Sequence, residues 1–165
     1  SQDSDSAGTY PGAAHLVLVN FTGTITYRDH HEPPLMARFP DLEVLSYHRV
    51  GRQPYYLRPS SVELVENLRH MPGVEVAIVT QLKTRNCEDA VVAFRARLSN
   101  DFAAELMLFD FNFTSENPEI RGSLRRDGRF SEYDFPAIWH FYRHHRGLIF
   151  DERNTLIIDN EVCAS

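Results

Sequence analysis

The sequence is poor in cysteine, in positive charge and in long hydrophobic runs, and each shortage excludes a class of protein. Its two cysteines, Cys87 and Cys163, are too few for a disulfide framework or a thiolate zinc site, so a reducing intracellular compartment is predicted. No stretch approaches the ~20 apolar residues of a membrane span, and no span is predicted. The net charge of −6 provides no global attraction for nucleic acids or anionic membranes.

What the sequence does contain fits one globular domain. With 165 residues, 42% of them hydrophobic and 24% charged, the chain is long enough and apolar enough to bury a core. Residues 1–14 are small and polar and predict a flexible tail, and residues 15–165 predict a single domain. The chain stops soon after its last predicted strand, which suggests either truncation at the C-terminus or an element supplied by a partner.

Four short apolar runs, at residues 16–20, 74–79, 106–111 and 155–159, predict buried strands. Three amphipathic stretches lie between them and predict helices. Ser60 and Glu63 have the spacing of a capping box at the start of the first helix. Strands that alternate with helices indicate an α/β, Rossmann-like parallel sheet flanked by helices.

Two segments interrupt this alternation. Residues 27–59 contain five of the nine prolines and predict loops with a hairpin, in which residues 44–47 form a strand. Residues 112–130 predict a turn-rich β-hairpin insertion with its tip at residues 127–128. Asp134 and Gly147 then predict the two ends of the third helix, as N-cap and C-cap.

Polar side chains follow the predicted strands at one edge of the sheet, where open parallel sheets bind ligands. The first strand runs into Asn20, the second ends at Thr80 with Lys83 nearby, and the last ends at Asp159 and Asn160. The sequence therefore predicts a site of small polar groups with one carboxylate.

These motifs, in this order, resemble the haloacid dehalogenase superfamily of phosphotransferases. More narrowly, they resemble the domain shared by RNA polymerase II CTD phosphatases and nuclear LIM-interactor-interacting factors. Residues 20–24, Asn-Phe-Thr-Gly-Thr, match the family's Asp-x-Asp-x-Thr motif, and Thr80 matches its strand-ending Ser or Thr. Asp159 and Asn160 match its closing Asp-Asp, and Tyr133 matches its lysine. The resemblance implies a haloacid-dehalogenase-type fold over about residues 15–162.

The departures from the family pattern imply a lost activity. In active relatives the first aspartate is the nucleophile, and an amide at Asn20 has no anionic oxygen to attack phosphorus. The general acid and base is replaced by Thr22, and the charge-balancing lysine by the neutral phenol of Tyr133. Catalytic residues are therefore predicted to be absent, and the chain is interpreted as a pseudophosphatase.

The same departures weaken the family's magnesium site. Magnesium prefers carboxylate and phosphate oxygens, and of the expected ligands only Asp159 is a carboxylate, beside the neutral Asn20 and Asn160. No cofactor is predicted, with magnesium needed only if the chain is an active phosphatase. His140 and His144 have the spacing of a metal pair on a helix, but a solvated helix end is the favoured interpretation.

A vestigial phosphate site is the next expectation. It would consist of Gly23, Thr24, Thr80 and Lys83, with backbone amides in the first turn able to hold an anion. Phosphopeptide binding without turnover and an empty vestigial pocket both remain open at this point.

The predicted function is a protein-interaction or scaffold module of a larger assembly. An active, magnesium-dependent phosphoserine/threonine phosphatase is the alternative. RNA binding within a ribonucleoprotein is the third, through the arginines of the predicted hairpin: Arg121, Arg125, Arg126 and Arg129. By analogy with family members, the mitochondrion or the nucleus would be the compartment.

Overall fold

The computed structural model describes residues 13–49, 51–114 and 133–160 and contains two sheets with helices packed against them. Short 3-10 turns lie at Leu35–Ala37 and Phe111–Phe113. In chain order, the strands and α-helices are β1 (His15–Asn20), β2 (Thr26–Arg28), β3 (Val44–Tyr47), β4 (Pro54–Leu57), α1 (Ser61–His70), β5 (Val74–Val79), α2 (Thr84–Arg95), α3 (Asn100–Glu105), β6 (Met107–Phe109), α4 (Phe135–Arg146) and β7 (Thr155–Ile158).

The larger sheet has four parallel strands in the order β6-β5-β1-β7. β1 lies between two partners, and its register pairs Asn20 with Val79 and Val19 with Ile158. The carboxyl ends of β1, β5 and β7 are therefore nearly level. The predicted α/β fold with a parallel, helix-flanked sheet is confirmed, and this strand order is consistent with a Rossmann-like arrangement.

Alternation along β1 divides the core between the two faces of the sheet. Val17 and Val19 are buried against Val65 of α1 and Phe94 of α2. Leu16 and Leu18 belong to a second cluster on the other face, together with Ile138 and Tyr142 of α4. Each large apolar side chain buried in this way contributes about 1.5–3 kcal/mol, so both helix layers are held by the hydrophobic effect.

The predicted strand positions are confirmed, with shifted ends. β6 is shorter than predicted because Leu106 ends the preceding helix and Phe111 begins a 3-10 turn. That preceding helix, α3, was not predicted, since its six residues contain too few apolar positions for a helical period. Asp134 caps α4 by accepting a hydrogen bond from the Ala137 amide (3.1 Å), and Gly147 ends that helix at φ +67°, both as predicted.

The capping box predicted at Ser60 is wrong. Ser60 has a left-handed backbone (φ +66°), whereas an N-cap residue needs an extended one, and its side chain makes no capping bond. Ser61 instead donates its hydroxyl to the Ile25 carbonyl at 3.0 Å. The start of α1 is thereby tied to the turn that follows β1.

The second sheet is antiparallel, with the order β2-β4-β3. It confirms the hairpin and the strand predicted at Val44–Tyr47, and adds β2, which pairs with β4. The predicted tail up to residue 12, and the predicted hairpin from residue 115 to its end at 130, lie outside the described residues. Among the helices that the structure describes, none is long and apolar enough to cross a membrane.

A buried carboxylate fixes the loop that covers this antiparallel sheet. The Asp29 side chain is fully buried and accepts hydrogen bonds from the Leu35 amide (2.6 Å), the Tyr56 hydroxyl (2.8 Å) and both the amide and the ring nitrogen of His31 (2.8 Å each). Burial raises the pKa of Asp29, but these hydrogen bonds outweigh that effect and lower the pKa from 3.8 to about 2. The loop is thus held by hydrogen bonds to an ionised carboxylate.

We expect Asp29→Asn to lower the free energy of unfolding by about 2 kcal/mol at pH 7. Because the folded pKa lies below the ordinary 3.8, the stabilisation by Asp29 is complete above about pH 4 and is lost as the pH falls through about 2. Urea unfolding of the wild type at several pH values should show this loss. The free energy of unfolding of the variant should depend less on pH over the same range. The exposed Asp41→Asn is the matched control, and an equal effect there would contradict the assignment.

Candidate functional site

A small polar cleft lies where the carboxyl ends of β1, β5 and β7 meet. Its volume is about 130 Å³. The residues that line it are Asn20, Thr22, Thr80, Gln81, Leu82, Asp159 and Asn160. The topology thus brings together four of the five positions that match the family's catalytic motifs, and the fifth, Tyr133, touches one of them.

Asn20 is held by a hydrogen bond that spans most of the chain. Its Nδ2 donates to the Tyr133 hydroxyl at 2.9 Å, and both side chains are buried. Because the amide nitrogen donates this hydrogen bond, the amide oxygen remains to be accounted for. Asn20 Oδ1 is buried and has no hydrogen-bond partner among the residues that the structure describes.

The chain after β1 forms a tight turn that places Thr22 at the cleft. The Phe21 carbonyl accepts bonds from the amides of Ile25 (3.2 Å) and Thr26 (2.9 Å), and the Gly23 amide donates to the Thr26 carbonyl (2.7 Å). These three amides are therefore committed within the turn. That backbone amides of this turn hold an anion stays a prediction.

Gly23 is required by a close contact between the first turn and the last strand. Its backbone has φ +122°, a conformation that residues other than glycine rarely adopt. A Cβ placed there would lie 2.7 Å from Cγ and 2.8 Å from Nδ2 of Asn160. The Asn160 side chain thus packs directly on the Gly23 backbone.

Of the four predicted phosphate-binding residues, one lines the cleft, and Gly23, Thr24 and Lys83 do not. Thr80 lines the cleft, but its hydroxyl also accepts a bond from the Leu82 amide at 3.2 Å. Thr24 lies in the first turn, with a buried hydroxyl that has no partner among the described residues. Lys83 is exposed and does not line the cleft, and its Nζ lies 5.4 Å from the centre of the Phe111 ring.

The cleft is a poor match to magnesium. Asp159 is the one carboxylate in its described lining, the Asn160 amide packs on Gly23, and the Asn20 amide is anchored by Tyr133. Within the described ranges, no group of three or more His, Cys, Asp or Glu side chains is placed to hold a metal. The His140 and His144 rings stack with their centres 5.4 Å apart on the exposed surface of α4, away from this cleft.

Sequence reasoning missed two contributions to this edge of the sheet. Leu82 lines the cleft although it has no polar group that would have marked it. Asp110 directly follows β6 and accepts bonds from the Thr84 hydroxyl (2.5 Å) and amide (3.3 Å), which joins that strand end to the start of α2. Its position after an apolar strand, like that of Asp159, was the available signal. The four arginines predicted as a contact surface lie outside the described residues.

Comparison with known proteins adds no assignment. No family model, no curated protein and no solved structure matches this chain. The chemistry of the cleft is therefore the basis on which its function has to be inferred.

We expect Gly23→Ala to lower the free energy of unfolding by about 1–3 kcal/mol, because it adds backbone strain and a clash with Asn160. Gly147→Ala is the matched control, since Gly147 also has a positive φ but has open space around its Cα. Urea unfolding should show the larger loss at Gly23, part of which the double variant Gly23→Ala/Asn160→Ala recovers. Equal losses at the two glycines would contradict the close contact.

We expect Tyr133→Phe to destabilise the fold by about 1–3 kcal/mol, because it leaves the Asn20 amide nitrogen buried without its acceptor. A double-mutant cycle with Asn20→Ala should give a coupling energy of about 1 kcal/mol in urea unfolding. Additive effects of the two substitutions would show that the hydrogen bond contributes nothing to the free energy of unfolding.

Proposed function

We propose that this chain is a haloacid-dehalogenase-type domain with a degenerate phosphatase site, which serves as a protein-interaction module in a larger assembly. The observation on which this rests is the bond from the Asn20 amide to the Tyr133 hydroxyl. Two positions that would hold a nucleophile and a cation in active relatives hold a neutral amide and a neutral phenol, which bind each other.

The strand order and the position of the cleft support the fold type. In the family pattern the catalytic motifs follow the first, second and last strands of the sheet. Here Asn20, Thr80 and Asp159 follow three adjacent strands and line one cleft. Because any parallel sheet brings such strand ends together, the support lies in the Thr80 hydroxyl and the Asp159 carboxylate at the matching positions.

The chemistry of the cleft supports the loss of catalysis. The Asn20 amide cannot form an acyl phosphate, and its nitrogen is already engaged. The buried Cys87 offers no replacement nucleophile, because burial raises the pKa of its thiol to about 11. No catalytic magnesium is part of the proposal.

The surface supports a role in interactions. β7 is an outer strand of the described sheet, and the Leu156 side chain on it is 59% exposed. Ile149, shortly before this strand, is 65% exposed. Outer strands with exposed apolar side chains are places where partners add to a sheet.

We expect the protein to show no hydrolysis of an aryl phosphate above the uncatalysed rate in millimolar magnesium. Asp159→Asn should be equally inactive. Turnover that disappears in Asp159→Asn would overturn the proposal and favour the magnesium-dependent phosphatase.

A gain-of-function variant tests the fold type separately. Asn20→Asp, Thr22→Asp and Tyr133→Lys together restore the family's charged groups, so magnesium-dependent hydrolysis should appear. A folded but inactive triple variant would count against a haloacid-dehalogenase-type site.

A further inference from the structure

The antiparallel sheet carries a row of tyrosines on the face that points away from the core. Tyr55 of β4 belongs to the buried core, so its neighbour Tyr56 lies on the opposite, outer face. The register pairs Tyr27 of β2 with Tyr56, and their rings stack with the centres 6.5 Å apart. Tyr47 of β3 pairs with Pro54, two residues before Tyr56, and is therefore on the same outer face. Each strand thus contributes one tyrosine to this face.

An arginine lies on the tyrosine at each end of this row. The guanidinium carbon of Arg58 is 5.6 Å from the centre of the Tyr27 ring, and that of Arg52 is 5.5 Å from the centre of the Tyr47 ring. Both arginines are exposed, and among the residues that the structure describes neither guanidinium group has an ion pair. A guanidinium group that packs its face on a ring keeps the N–H groups at its edge free for an acceptor. These four residues are called the arginine–tyrosine surface below.

The charge of this part of the chain is opposite in sign to that of the whole. Residues 26–58 contain five arginines and four acidic residues, a net charge of +1, whereas the chain carries −6. Two of the acidic side chains are already engaged, since Asp29 is buried in its loop and Glu43 pairs with Arg97 at 2.6 Å. The arginine–tyrosine surface therefore favours a ligand that brings carboxylates.

We propose that the arginine–tyrosine surface binds a short acidic segment of a partner protein, with one carboxylate on Arg52 and another on Arg58. This inference rests on the proposed interaction function and names the chemistry of the partner. The two tyrosines beneath these arginines lie on the strands on either side of β4, roughly 10 Å apart. An extended peptide covers that distance in about three residues, so carboxylates spaced three residues apart reach both arginines.

Met36 supplies an apolar contact between the two ends of this surface. Its amide donates to the Tyr56 hydroxyl at 3.0 Å, and its Sδ lies 3.9 Å from the Tyr47 hydroxyl. Met36 is half-buried, and Phe39 in the same loop is 52% exposed. An apolar residue between the carboxylates of the segment would pack here, since methionine and aromatic side chains are enriched at protein interfaces.

A nucleic acid suits this surface less well than a peptide. It would bring a phosphate with every nucleotide to a chain whose net charge is −6, and Glu32 and Asp41 of the neighbouring loop are exposed. A short peptide needs to be matched at two carboxylates.

The test is an NMR titration of the ¹⁵N-labelled full chain with the peptide acetyl-Glu-Asp-Leu-Asp-Glu-amide. We expect saturable shifts of the backbone amides of Tyr27, Tyr47, Arg52 and Arg58. The neutral peptide acetyl-Gln-Asn-Leu-Asn-Gln-amide has nearly the same shape and should bind at least tenfold more weakly, because it cannot make charge-assisted hydrogen bonds.

Three double variants assign the binding to this surface. Arg52→Gln with Arg58→Gln should weaken the acidic peptide at least tenfold. Arg52→Lys with Arg58→Lys keeps the charge without the planar donors and should bind severalfold more weakly than the wild type. Arg85→Gln with Arg143→Gln removes the same charge from exposed positions of α2 and α4 and should leave the affinity unchanged. All four arginines are exposed, so these variants should fold.

Four results would overturn the inference: no saturable shift at about 5 mM acidic peptide, a concentration that detects even millimolar binding; equal binding of the neutral peptide; equal affinities of the two glutamine double variants; or tighter binding of a uridine pentanucleotide. Shifts of the same amides that appear on raising the protein concentration without peptide would assign the surface to a second copy of the chain and would also overturn it. Failure of the proposed function gives a different result. Aryl phosphate turnover would overturn the pseudophosphatase assignment, whereas an inactive protein that does not bind the acidic peptide would overturn this inference alone.

Discussion

Parallel pairing of β1 with a strand on each side decides where the functional side chains lie. The pairing places residues 16–20 of β1 in the buried centre of the sheet and makes three strand ends nearly level. Backbone hydrogen bonds between the strands thus place side chains from distant parts of the sequence at one edge of the sheet. The cleft is a consequence of this register, and the loops around it only adjust its shape.

Asn20 of the cleft and Tyr133 form a buried pair of neutral side chains. A carboxylate and an ammonium group would need each other to remain buried, and losing one would strand the other. An amide and a phenol satisfy each other at 2.9 Å with no charge to desolvate. Under the proposed function, this neutral pair stands where active relatives have the groups that attack and stabilise a phosphoryl group.

Much of the fold could be predicted because its strands are almost purely apolar and its last helix has unambiguous ends at Asp134 and Gly147. Short elements could not be predicted: β2 has only three residues, and α3 has too few apolar positions to reveal a period. The capping error at Ser60 has a different origin. A tertiary acceptor, the Ile25 carbonyl, binds the neighbouring serine, and local sequence rules contain no information about it.

Several residues of the candidate site could be predicted from the sequence, but their contacts could not. Strand ends identified Asn20, Thr80 and Asp159, because parallel topology brings such ends together. The direction of Lys83 and the internal bonding of the first turn depend on rotamers and on hydrogen bonds that no motif specifies. These details place Lys83 over the Phe111 ring and engage three amides of the first turn in internal hydrogen bonds.

The contact of Asn20 with Tyr133 joins residues 113 positions apart, and that of Gly23 with Asn160 joins the first turn to the end of β7. On the ribosome, β1 and its turn emerge long before either partner. The cleft therefore cannot form before the chain has been synthesised as far as Asn160. Any ligand that recognises it will distinguish the finished domain from every shorter intermediate.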